Sequence, residues 1–358
     1  MRDVAYVLGE YPVPSQTFVH AELVALRAAG VAVDVIAHKR GPEGVVFGDG
    51  PDGQPFKLRH VGLDAGAGAG ADGAGDVAAV LSDYRHLHTH FADFGVRVLG
   101  PLAARAKRPW SFTAHAYDLF RRDAAVRPEE WAALPDSCRK VVTISRFHKD
   151  YIAARGVRPD RIAVVPNAAR LEGLLAGAPA APTMLRNILA VGRPVAKKGF
   201  GVLVQAWARA RARAPGLTLT IIGGEGLVAE PPEGLVLTPM LPYAQVLAAM
   251  AACDLVVAPS VVAPDGDMDG IPTVLVEAAA LRRPVIASVV TGVGDLVCDG
   301  VNGLLVPPGD VDALVAALLR LAARPQELAR LGTGGPMLAA AHDARRVADL
   351  LRAGVFTP

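Results

Sequence analysis

Short runs of apolar residues alternate along this chain with stretches whose apolar residues recur at helical spacing. Apolar runs bounded by turn residues are typical of buried strands, and strands that alternate with helices predict a parallel α/β sheet. In the first half, strands are predicted at residues 4–8, 31–37, 86–90, 110–113, 141–144 and 162–165. In the second half, they are predicted at residues 188–191, 217–222 and 254–258.

The helical stretches and the breaks between them predict two domains. Helices are expected at residues 18–29 and 95–107, and from Arg146. Residues 62–75 are low in complexity and predict a surface loop, and residues 171–182 (LEGLLAGAPAAP) predict a linker. We therefore predict an N-terminal domain of residues 1–170 and a C-terminal domain of residues 183–336. The tail, residues 337–358, is predicted to contain a last helix (337–351) that crosses back to the first domain. Two doubly wound domains predict a cleft between the carboxyl ends of their strands.

The segment DGDMDGIPTVLVE, residues 265–277, combines the end of a strand, a polar loop and the start of a helix. Such a helix start suits an anion, because its first N–H groups are unpaired and the helix dipole favours negative charge. We expect Asp269 and Glu277, both placed at this helix start, to be ionised hydrogen-bond acceptors. The alternative of a calcium loop is disfavoured, because Val276 stands where the twelfth-position Glu should be and Pro272 interrupts the loop.

Three further patterns bear on chemistry. Arg193, Lys197 and Lys198 follow a predicted strand and suit a diphosphate, although a solvated basic turn has the same pattern. The sequence from Gly224 to Ala229 formally matches a dinucleotide fingerprint, but two prolines follow at once and prevent the helix that this fingerprint needs. The third pattern is His86, His88 and His90, which lie on one face of a predicted strand. Three histidines can hold zinc, but no acidic or cysteine partner lies nearby in sequence, so we expect no metal site.

Composition and charge narrow the class of protein. The 358 residues carry 37 basic and 35 acidic side chains. The chain therefore lacks the basic excess that is typical of nucleic-acid-binding proteins. Three cysteines far apart in sequence indicate a reducing compartment, and no uncharged apolar run is long enough to span a bilayer. We expect a cytoplasmic protein with at most peripheral membrane contact; the sequence leaves the oligomeric state open.

The chain resembles the family 4 retaining glycosyltransferases of the GT-B fold, especially the branch that builds bacterial exopolysaccharides. The resemblance covers nearly the whole chain and depends on the order and spacing of several motifs. They are PVPSQTFVHAELVALRAAG, HTHFADFG, SFTAHAYD, TISRFHKDYI, VVPNAA, VGRPVAKKGF, DGIPTVLVEAAALRRPVIAS and DGVNGLLVPPGD. The fold that this implies is α/β, with two Rossmann-like doubly wound domains facing each other across a cleft.

The resemblance also implies a role for individual residues. Arg193 and Lys198 match the pair that grips the donor diphosphate, Asp269 matches the acid that holds sugar hydroxyls, and Glu277 matches the acid that holds the ribose. His115 matches a histidine beside the donor sugar. The other implied donor-binding residues are Ser15, Gln16, Thr17, Gly192, Met240, Leu241, Gly270, Ile271, Pro272, Thr273 and Val274. His90 and Asp118 are the candidate acceptor-binding residues, and no metal is implied.

The implied reaction is metal-independent, front-face transfer of a sugar from a nucleoside-diphosphate sugar, with no cofactor, to an acceptor hydroxyl. Asp269 departs from the usual Glu, which leaves the identity of the sugar open. The acceptor is either a small natural product or aminocyclitol, or a lipid-linked oligosaccharide. Two alternatives stay open: a nucleotide-sugar 2-epimerase of the same fold, and a catalytically inactive subunit that binds nucleotide or glycan.

Overall fold

A computed structural model describes residues 1–13, 16–42, 56–61 and 77–357. The predicted low-complexity loop at residues 62–75 and Ser15 lie outside these ranges. Within the described ranges the strands are β1 (Arg2–Tyr11), β2 (Val33–Arg40), β3 (Leu58–His60), β4 (Tyr84–His90), β5 (Trp110–Ala114), β6 (Cys138–Thr143), β7 (Ile162–Val164), β8 (Asn187–Val191), β9 (Thr218–Ile222), β10 (Leu235–Thr238), β11 (Leu255–Ala258), β12 (Val285–Ser288) and β13 (Gly303–Val306).

The α-helices in the described ranges connect these strands. They are α1 (Thr17–Ala28), α2 (Val77–Leu81), α3 (Ala92–Phe94), α4 (Gly100–Ala106), α5 (Ala116–Phe120), α6 (Pro128–Ala132), α7 (Arg146–Ala153), α8 (Glu172–Ala176), α9 (Phe200–Arg211), α10 (Tyr243–Ala252), α11 (Thr273–Ala280), α12 (Val311–Ala323), α13 (Pro325–Ala339) and α14 (Ala344–Leu351). A π-helical turn, Gly95–Leu99, joins α3 to α4, so the helix predicted at 95–107 is present and its first turn is π-helical. No helix of the described ranges combines the length and the apolar character that crossing a bilayer requires.

The chain divides into two compact units, each with its own parallel sheet. The first unit holds a seven-stranded sheet in the order β3-β2-β1-β4-β5-β6-β7, and the second a six-stranded sheet in the order β10-β9-β8-β11-β12-β13. In both sheets the strand order reverses once, between β1 and β4 and between β8 and β11. Ligands of open parallel sheets bind at the carboxyl ends of the strands at such a reversal. The topology therefore directs attention to the loops that follow these four strands.

Buried aliphatic strands and aromatic side chains form the cores. In the first unit, Trp110 and Phe112 of β5 pack with Trp131 of α6, and all three are almost completely buried. In the second unit, Trp207 on α9 packs into the core and donates from its indole N–H to the carbonyl of Leu217 at 3.3 Å. Burial of both sheet faces explains why the strands read as continuous apolar runs rather than as alternating patterns.

The boundary between the units differs in detail from the prediction. The first unit is Met1–Ala169 with Ala344–Pro358, and the second is Arg170–Asp343. The predicted linker at residues 171–182 belongs to the second unit: it contains α8, and Arg283 donates to the carbonyl of Ala180 at 2.5 Å. A local Gly/Ala/Pro composition cannot reveal that a distant arginine holds the segment.

The C-terminal tail is two helices rather than the single one predicted. Asp343 has an extended backbone (ψ 131°), which ends the helical segment that includes α13 and starts α14. The N–H of Ala344 then donates to the carbonyl of Ala169 at 3.0 Å, and α14 packs with α1 in the first unit. Phe356, beyond α14, lies 5.4 Å from His86 and 5.5 Å from His88, measured between ring centroids.

Candidate active site

The loops that follow β8 and β11 meet at the strand-order reversal of the second sheet. The N–H of Val261 donates to the carbonyl of Lys197 at 2.9 Å and joins the two loops. Gly199 has a positive φ of 63°, and a Cβ there would lie 1.9 Å from the carbonyl oxygen of Pro259. Only glycine suits this position, because the conformation and the close approach both exclude a side chain. The predicted basic turn is therefore held against the predicted acidic loop.

Lys198 and Asp269 form a bidentate ion pair in this region. The Lys198 Nζ lies 3.0 and 2.9 Å from the two carboxylate oxygens of Asp269, and Ser260 donates to the same carboxylate at 2.7 Å. Lys197 pairs with Asp267 at 3.0 Å and lies 3.8 Å from Asp269. The predicted phosphate-binding cation and the predicted sugar-binding acid thus neutralise each other. This pairing replaces the calcium-loop alternative, because Asp267 and Asp269 already have cationic partners.

Gly192 explains how Lys198 reaches this position. A Cβ on Gly192 would lie 3.2 Å from the Cδ and Cε atoms of Lys198, so the lysine stem passes directly over the glycine. Arg193, the next residue, is exposed. Among the residues that the structure describes, its guanidinium has no carboxylate partner. The two predicted diphosphate-binding cations are therefore in different states, one paired and one open to solvent.

Glu277 corrects the expectation that both acids are ionised at the start of a helix. It is the fifth residue of α11 and is only 8% exposed, and burial raises the pKa of its carboxyl to about 7. Tyr243, itself 48% exposed, donates from its hydroxyl to Glu277 Oε1 at 3.0 Å. The helix dipole acts mainly within the first turn, so it does not outweigh desolvation at this depth.

The start of α11 presents backbone groups near the same acids. Pro272 precedes the helix, and the first N–H groups of a helix, here from Thr273 onward, lack intrahelical partners. Thr291 braces the preceding loop, donating from Oγ1 to the carbonyl of Asp269 at 2.6 Å and of Gly270 at 3.1 Å. Ile271 is buried, which fixes the loop from beneath. The segment from Gly270 to Val274 is therefore built as a rigid helix entry.

The predicted base-binding residues follow β10. Met240 is 50% exposed, and Leu241 is half-buried. A Cβ on Gly223, which follows β9, would lie 2.7 Å from the Met240 sulfur and 2.0 Å from the carbonyl oxygen of Gly192. The loops after β8, β9 and β10 therefore converge on one end of the sheet, as the prediction of a single donor site requires.

In the first unit, the predicted loop of residues 15–17 is described only in part. Gln16 immediately precedes α1, and Thr17 is the first residue of that helix. The helix begins after β1, which lies at the strand-order reversal of the first sheet. The roles implied for these residues stay predictions.

His115 and His90 lie together in the first unit, both buried. His90 Nδ1 is 3.1 Å from His115 Nε2, and His90 Nε2 is 3.3 Å from Glu22 Oε1. His115 packs between Phe18 and Phe91, at ring-centroid distances of 5.0 and 4.8 Å. Burial, and secondarily the nearby His90 and His148, hold the pKa of His115 well below its usual range. Both nitrogens of His90 bond within the protein, and its predicted contact with the acceptor stays a prediction.

Asp118 hydrogen-bonds to backbone groups of the first unit, and its predicted contact with an acceptor stays a prediction. Its carboxylate accepts the backbone N–H of His115 at 2.7 Å and the N–H of Ala92, and the side chain is completely buried. Burial raises the pKa of this carboxyl well above its usual range. The residue fixes the start of α5, which carries His115 as its N-cap.

The buried histidines acquire an acidic neighbour that the sequence did not indicate. Atoms of Glu22, His88 and His90 lie within 4.8 Å of one another, close enough for the three side chains to hold a metal ion. No acidic partner lies nearby in sequence, but in the fold α1 brings Glu22 to the strand. Both nitrogens of His88 already have partners, Ser111 at 2.7 Å and Thr113 at 3.1 Å. The atoms that could hold an ion therefore also take part in hydrogen bonds within the protein.

Sequence reasoning missed the residues that brace the predicted ones. Ser260 follows β11 at the strand-order reversal, a position that could have drawn attention to it. Tyr243 and Thr291 reach their partners from other loops. Their distance in sequence, 34 residues for Tyr243 and Glu277, leaves no local signal.

Comparison with known proteins identifies the family. Residues 15–172 match the model of glycosyltransferase family 4, and residues 186–324 match the model of glycosyl transferases group 1. The putative colanic acid biosynthesis glycosyltransferase WcaL of Salmonella typhimurium is 26% identical over 88% of this chain and 89% of its own length. The amylovoran biosynthesis glycosyltransferase AmsK of Erwinia amylovora is 35% identical over 38% of this chain and 35% of its own.

Solved structures show the same architecture. Anabaena HepE, in a complex with UDP and glucose, superimposes with a TM-score of 0.73 at 16% identity, covering all of both chains. Sucrose-phosphate synthase from Thermosynechococcus elongatus gives a TM-score of 0.73 at 21% identity, covering 98% of each chain. The chain therefore belongs to the family 4 glycosyltransferases of the GT-B fold and is a glycosyltransferase.

Proposed function

We propose that this glycosyltransferase transfers a sugar from a nucleoside-diphosphate sugar to an acceptor hydroxyl, with retention of the anomeric configuration and without a metal ion. The observation that carries the proposal is the position of Lys198. Its ammonium group lies at the strand-order reversal of the second sheet, on the carboxylate of Asp269 and in the same loop as the exposed Arg193. Anabaena HepE is described in complexes with UDP and with UDP-glucose, which supports a donor of this class.

The chemistry follows from charge. As the bond between the anomeric carbon and the phosphate oxygen breaks, negative charge grows on the leaving diphosphate. Lys198, Arg193 and the first amides of α11 supply positive charge and N–H donors for that oxygen. In the proposed front-face reaction, the acceptor oxygen bonds to the anomeric carbon on the face that the leaving group departs from. The hydroxyl proton passes to the departing phosphate oxygen.

Donor binding requires that the ion pair between Lys198 and Asp269 also interact with the donor. Lys198 is bound by Asp269 in the free protein, so a diphosphate must compete for its ammonium group. Sugar hydroxyls can then donate to Asp269, and the ribose can donate to Glu277. The acceptor is proposed to be a small natural product or aminocyclitol, or a lipid-linked oligosaccharide; the colanic acid and amylovoran relatives favour a glycan acceptor.

A thermal-unfolding screen tests the proposal with defined probes: UDP, GDP, ADP, UDP-glucose, UDP-galactose and GDP-mannose. The nucleotide that binds should raise the free energy of unfolding by about 2.7 kcal/mol at 100 times its dissociation constant. Following the anomeric proton of the product by NMR then distinguishes retention from inversion. Stabilisation by none of the diphosphates would overturn the proposal, and conversion of the donor without an acceptor would favour the epimerase instead.

Nucleoside-diphosphate affinity is expected to rise with pH up to about 7. Burial raises the pKa of Glu277 to about 7, and only its ionised form is a pure acceptor for ribose hydroxyls. Below that pH the Glu277 carboxyl must release a proton when the ribose binds. The dissociation constant of the nucleoside diphosphate should therefore increase by up to about tenfold for each unit by which the pH is lowered. Isothermal titration calorimetry of UDP or GDP between pH 5.5 and 8, values chosen to be about one unit or more on either side of this pKa, measures the slope.

The variant Glu277→Gln separates this effect from titration of the phosphate itself, because its remaining slope belongs to the nucleotide. The pH dependence of the stability of the protein should have the opposite sign to that of the affinity. The folded pKa of Glu277 lies above its unfolded one of 4.5, so its contribution to the free energy of unfolding falls as the pH rises from 4.5 to about 7. If the affinity for the nucleoside diphosphate changes with pH by the same slope in the wild-type protein and in Glu277→Gln, the assignment of Glu277 to the ribose is contradicted.

Turnover is expected to survive chelation. Lys198 and the exposed Arg193 are the cations proposed to neutralise the diphosphate, so a bridging metal ion is not needed. The rate of nucleoside-diphosphate release should be the same, within about twofold, before and after dialysis against EDTA, a difference of roughly 0.4 kcal/mol in barrier. Loss of the activity with EDTA, and its recovery with Mg²⁺ or Mn²⁺, would show that a metal neutralises the diphosphate.

A further inference from the structure

Glu277 is a buried acid on a helix that is otherwise apolar over residues 275–280, all of which are buried. An ionised carboxylate in such a place is costly unless donors or a cation surround it. Asp269 has a lysine and a serine as donors. Among the residues that the structure describes, the Glu277 side chain has a single donor, the hydroxyl of Tyr243, at 3.0 Å from Oε1. Its second oxygen, Oε2, is therefore left for a ligand.

The way in which α10 starts directs Tyr243 toward this carboxyl. Tyr243 is the first residue of the helix, and the carbonyl of Pro242 accepts the N–H groups of Gln245 and Val246 at 2.9 and 3.1 Å. Val246 and Met250, three and seven residues further on, are buried and share one helix face with Tyr243. The phenol ring therefore belongs to the face that anchors α10 in the core, although the residue is half-exposed.

We propose that Tyr243 is a positioning residue for the donor nucleotide: its hydroxyl holds Oε1 of Glu277, so that Oε2 is presented to the ribose. This inference rests on the proposed function, in which Glu277 binds the ribose. Tyr243 also follows Met240 and Leu241, the predicted base-binding residues, by three and two positions. One short segment would then serve both halves of the nucleoside.

The same hydrogen bond favours the ionised carboxylate. Burial raises the pKa of Glu277, and the hydroxyl of Tyr243 partly offsets this rise, because a hydrogen bond donated to a carboxylate stabilises its charge. Burial also raises the pKa of Tyr243 well above its usual value, so its hydroxyl stays a donor at neutral pH. Removing the hydroxyl should therefore raise the pKa of Glu277 above about 7.

Other charged groups do not replace Tyr243 at this carboxyl. The elements that pack most extensively against α11 are α8, α10, α13, β11 and β12, and apart from Tyr243 they carry three charged side chains: Glu172, Glu327 and Arg330. Within the described part of the chain, none of the three makes a hydrogen bond or an ion pair with Glu277. Arg170 lowers the pKa of Tyr243, but less than burial raises it. The ionisation of Glu277 therefore depends on burial and on Tyr243.

The contact between Tyr243 and Glu277 can be measured without a donor. In protein labelled with ¹³C at the glutamate side-chain carboxyl, the chemical shift follows ionisation, and a Glu277→Gln sample assigns the signal. We expect the titration midpoint of Glu277 to rise in Tyr243→Phe. The matched control is Tyr84→Phe, which removes a hydroxyl that donates to the carboxylate of Asp34 at 2.8 Å in the first unit and should leave the midpoint unchanged. An unchanged midpoint in Tyr243→Phe would overturn the proposal.

The affinity test uses the nucleoside diphosphate that stabilises the wild-type protein in the thermal screen above. At about pH 7, Tyr243→Phe should raise its dissociation constant by about threefold to tenfold, and Tyr84→Phe by less than about twofold. The loss in Tyr243→Phe should shrink at about pH 9, roughly two units above the wild-type pKa of Glu277, where the carboxyl is more fully ionised in both proteins. In a Glu277→Ala background, Tyr243→Phe should change the dissociation constant by less than about twofold, because Tyr243 acts through Glu277.

A loss of affinity that is equal at the two pH values, or that persists in the Glu277→Ala background, would overturn the proposal. Because the carboxyl titration contains no nucleotide, its result is independent of whether the proposed transfer reaction is correct. Nucleoside-diphosphate binding that is unaffected by Tyr243→Phe would overturn this inference and leave the proposed function intact.

Discussion

Replacing Lys198 with alanine is expected to lower kcat/KM for the nucleotide sugar by about 100-fold, or roughly 2.7 kcal/mol of transition-state stabilisation. The ammonium group contacts both oxygens of Asp269 in the free protein and is proposed to transfer to the leaving diphosphate. Charge on the leaving oxygen is greatest in the transition state, so the loss should fall mainly on kcat. Arg193→Ala should cost at least about tenfold. Release of nucleoside diphosphate at saturating acceptor measures both losses.

Lys197→Ala is the matched control, because its ammonium pairs with Asp267 at 3.0 Å and lies 3.8 Å from Asp269. It removes the same charge from the same turn and should lower kcat/KM by less than about threefold. The Lys198→Ala variant also leaves the carboxylate of Asp269 without its closest cation. The double variant Lys198→Ala/Asp269→Asn removes that uncompensated charge and tests whether folding contributes. Losses below about tenfold in both Arg193→Ala and Lys198→Ala would contradict the assignment.

Asp269 and Glu277 are expected to serve different halves of the donor. Asp269→Asn should lower kcat by about 100-fold, because a charged acceptor for sugar hydroxyls is lost. It should keep or increase affinity for UDP or GDP, because Lys198 no longer pairs with a carboxylate. Glu277→Gln should weaken the nucleoside diphosphate and the intact donor alike, by about tenfold, because both carry the ribose. Calorimetry and kinetics on each variant separate the two effects.

Asp269→Glu is the informative substitution for specificity. In the wild-type protein, Lys198 and Ser260 hold the shorter carboxylate of Asp269. The longer side chain of the variant must fit between the same two partners. We expect the ranking of UDP-glucose, UDP-galactose and GDP-mannose as donors to change more than the midpoint of thermal unfolding. Equal losses of diphosphate affinity in Asp269→Asn and Glu277→Gln would show that the division between sugar and ribose is wrong.

The architecture of this protein could be predicted from its sequence because the information is local. Buried parallel strands favour continuous apolar runs, and glycine and proline are common in the turns between them, so residues 4–8 and 188–191 are visible as strands without a structure. The three-residue β3 was not predicted, since its positions, Leu58–His60, are exposed and carry no apolar run. The strands β10, β12 and β13 were not predicted individually either. The order and spacing of the motifs also pointed to the family, which the comparisons then established.

The state of each site residue depends on partners that are distant in sequence. The sequence placed Lys198 and Asp269 in the right loops, but their ion pair joins residues 71 positions apart. It identified Glu277 as an acid near a helix start, whereas burial beside Tyr243 sets its pKa. It grouped three histidines on one strand, whereas α1 supplies a carboxylate that contacts His90 from 68 residues away. Apolar periodicity determined the elements because it repeats within each one; desolvation and pairing arise between elements, so only the tertiary structure decided them.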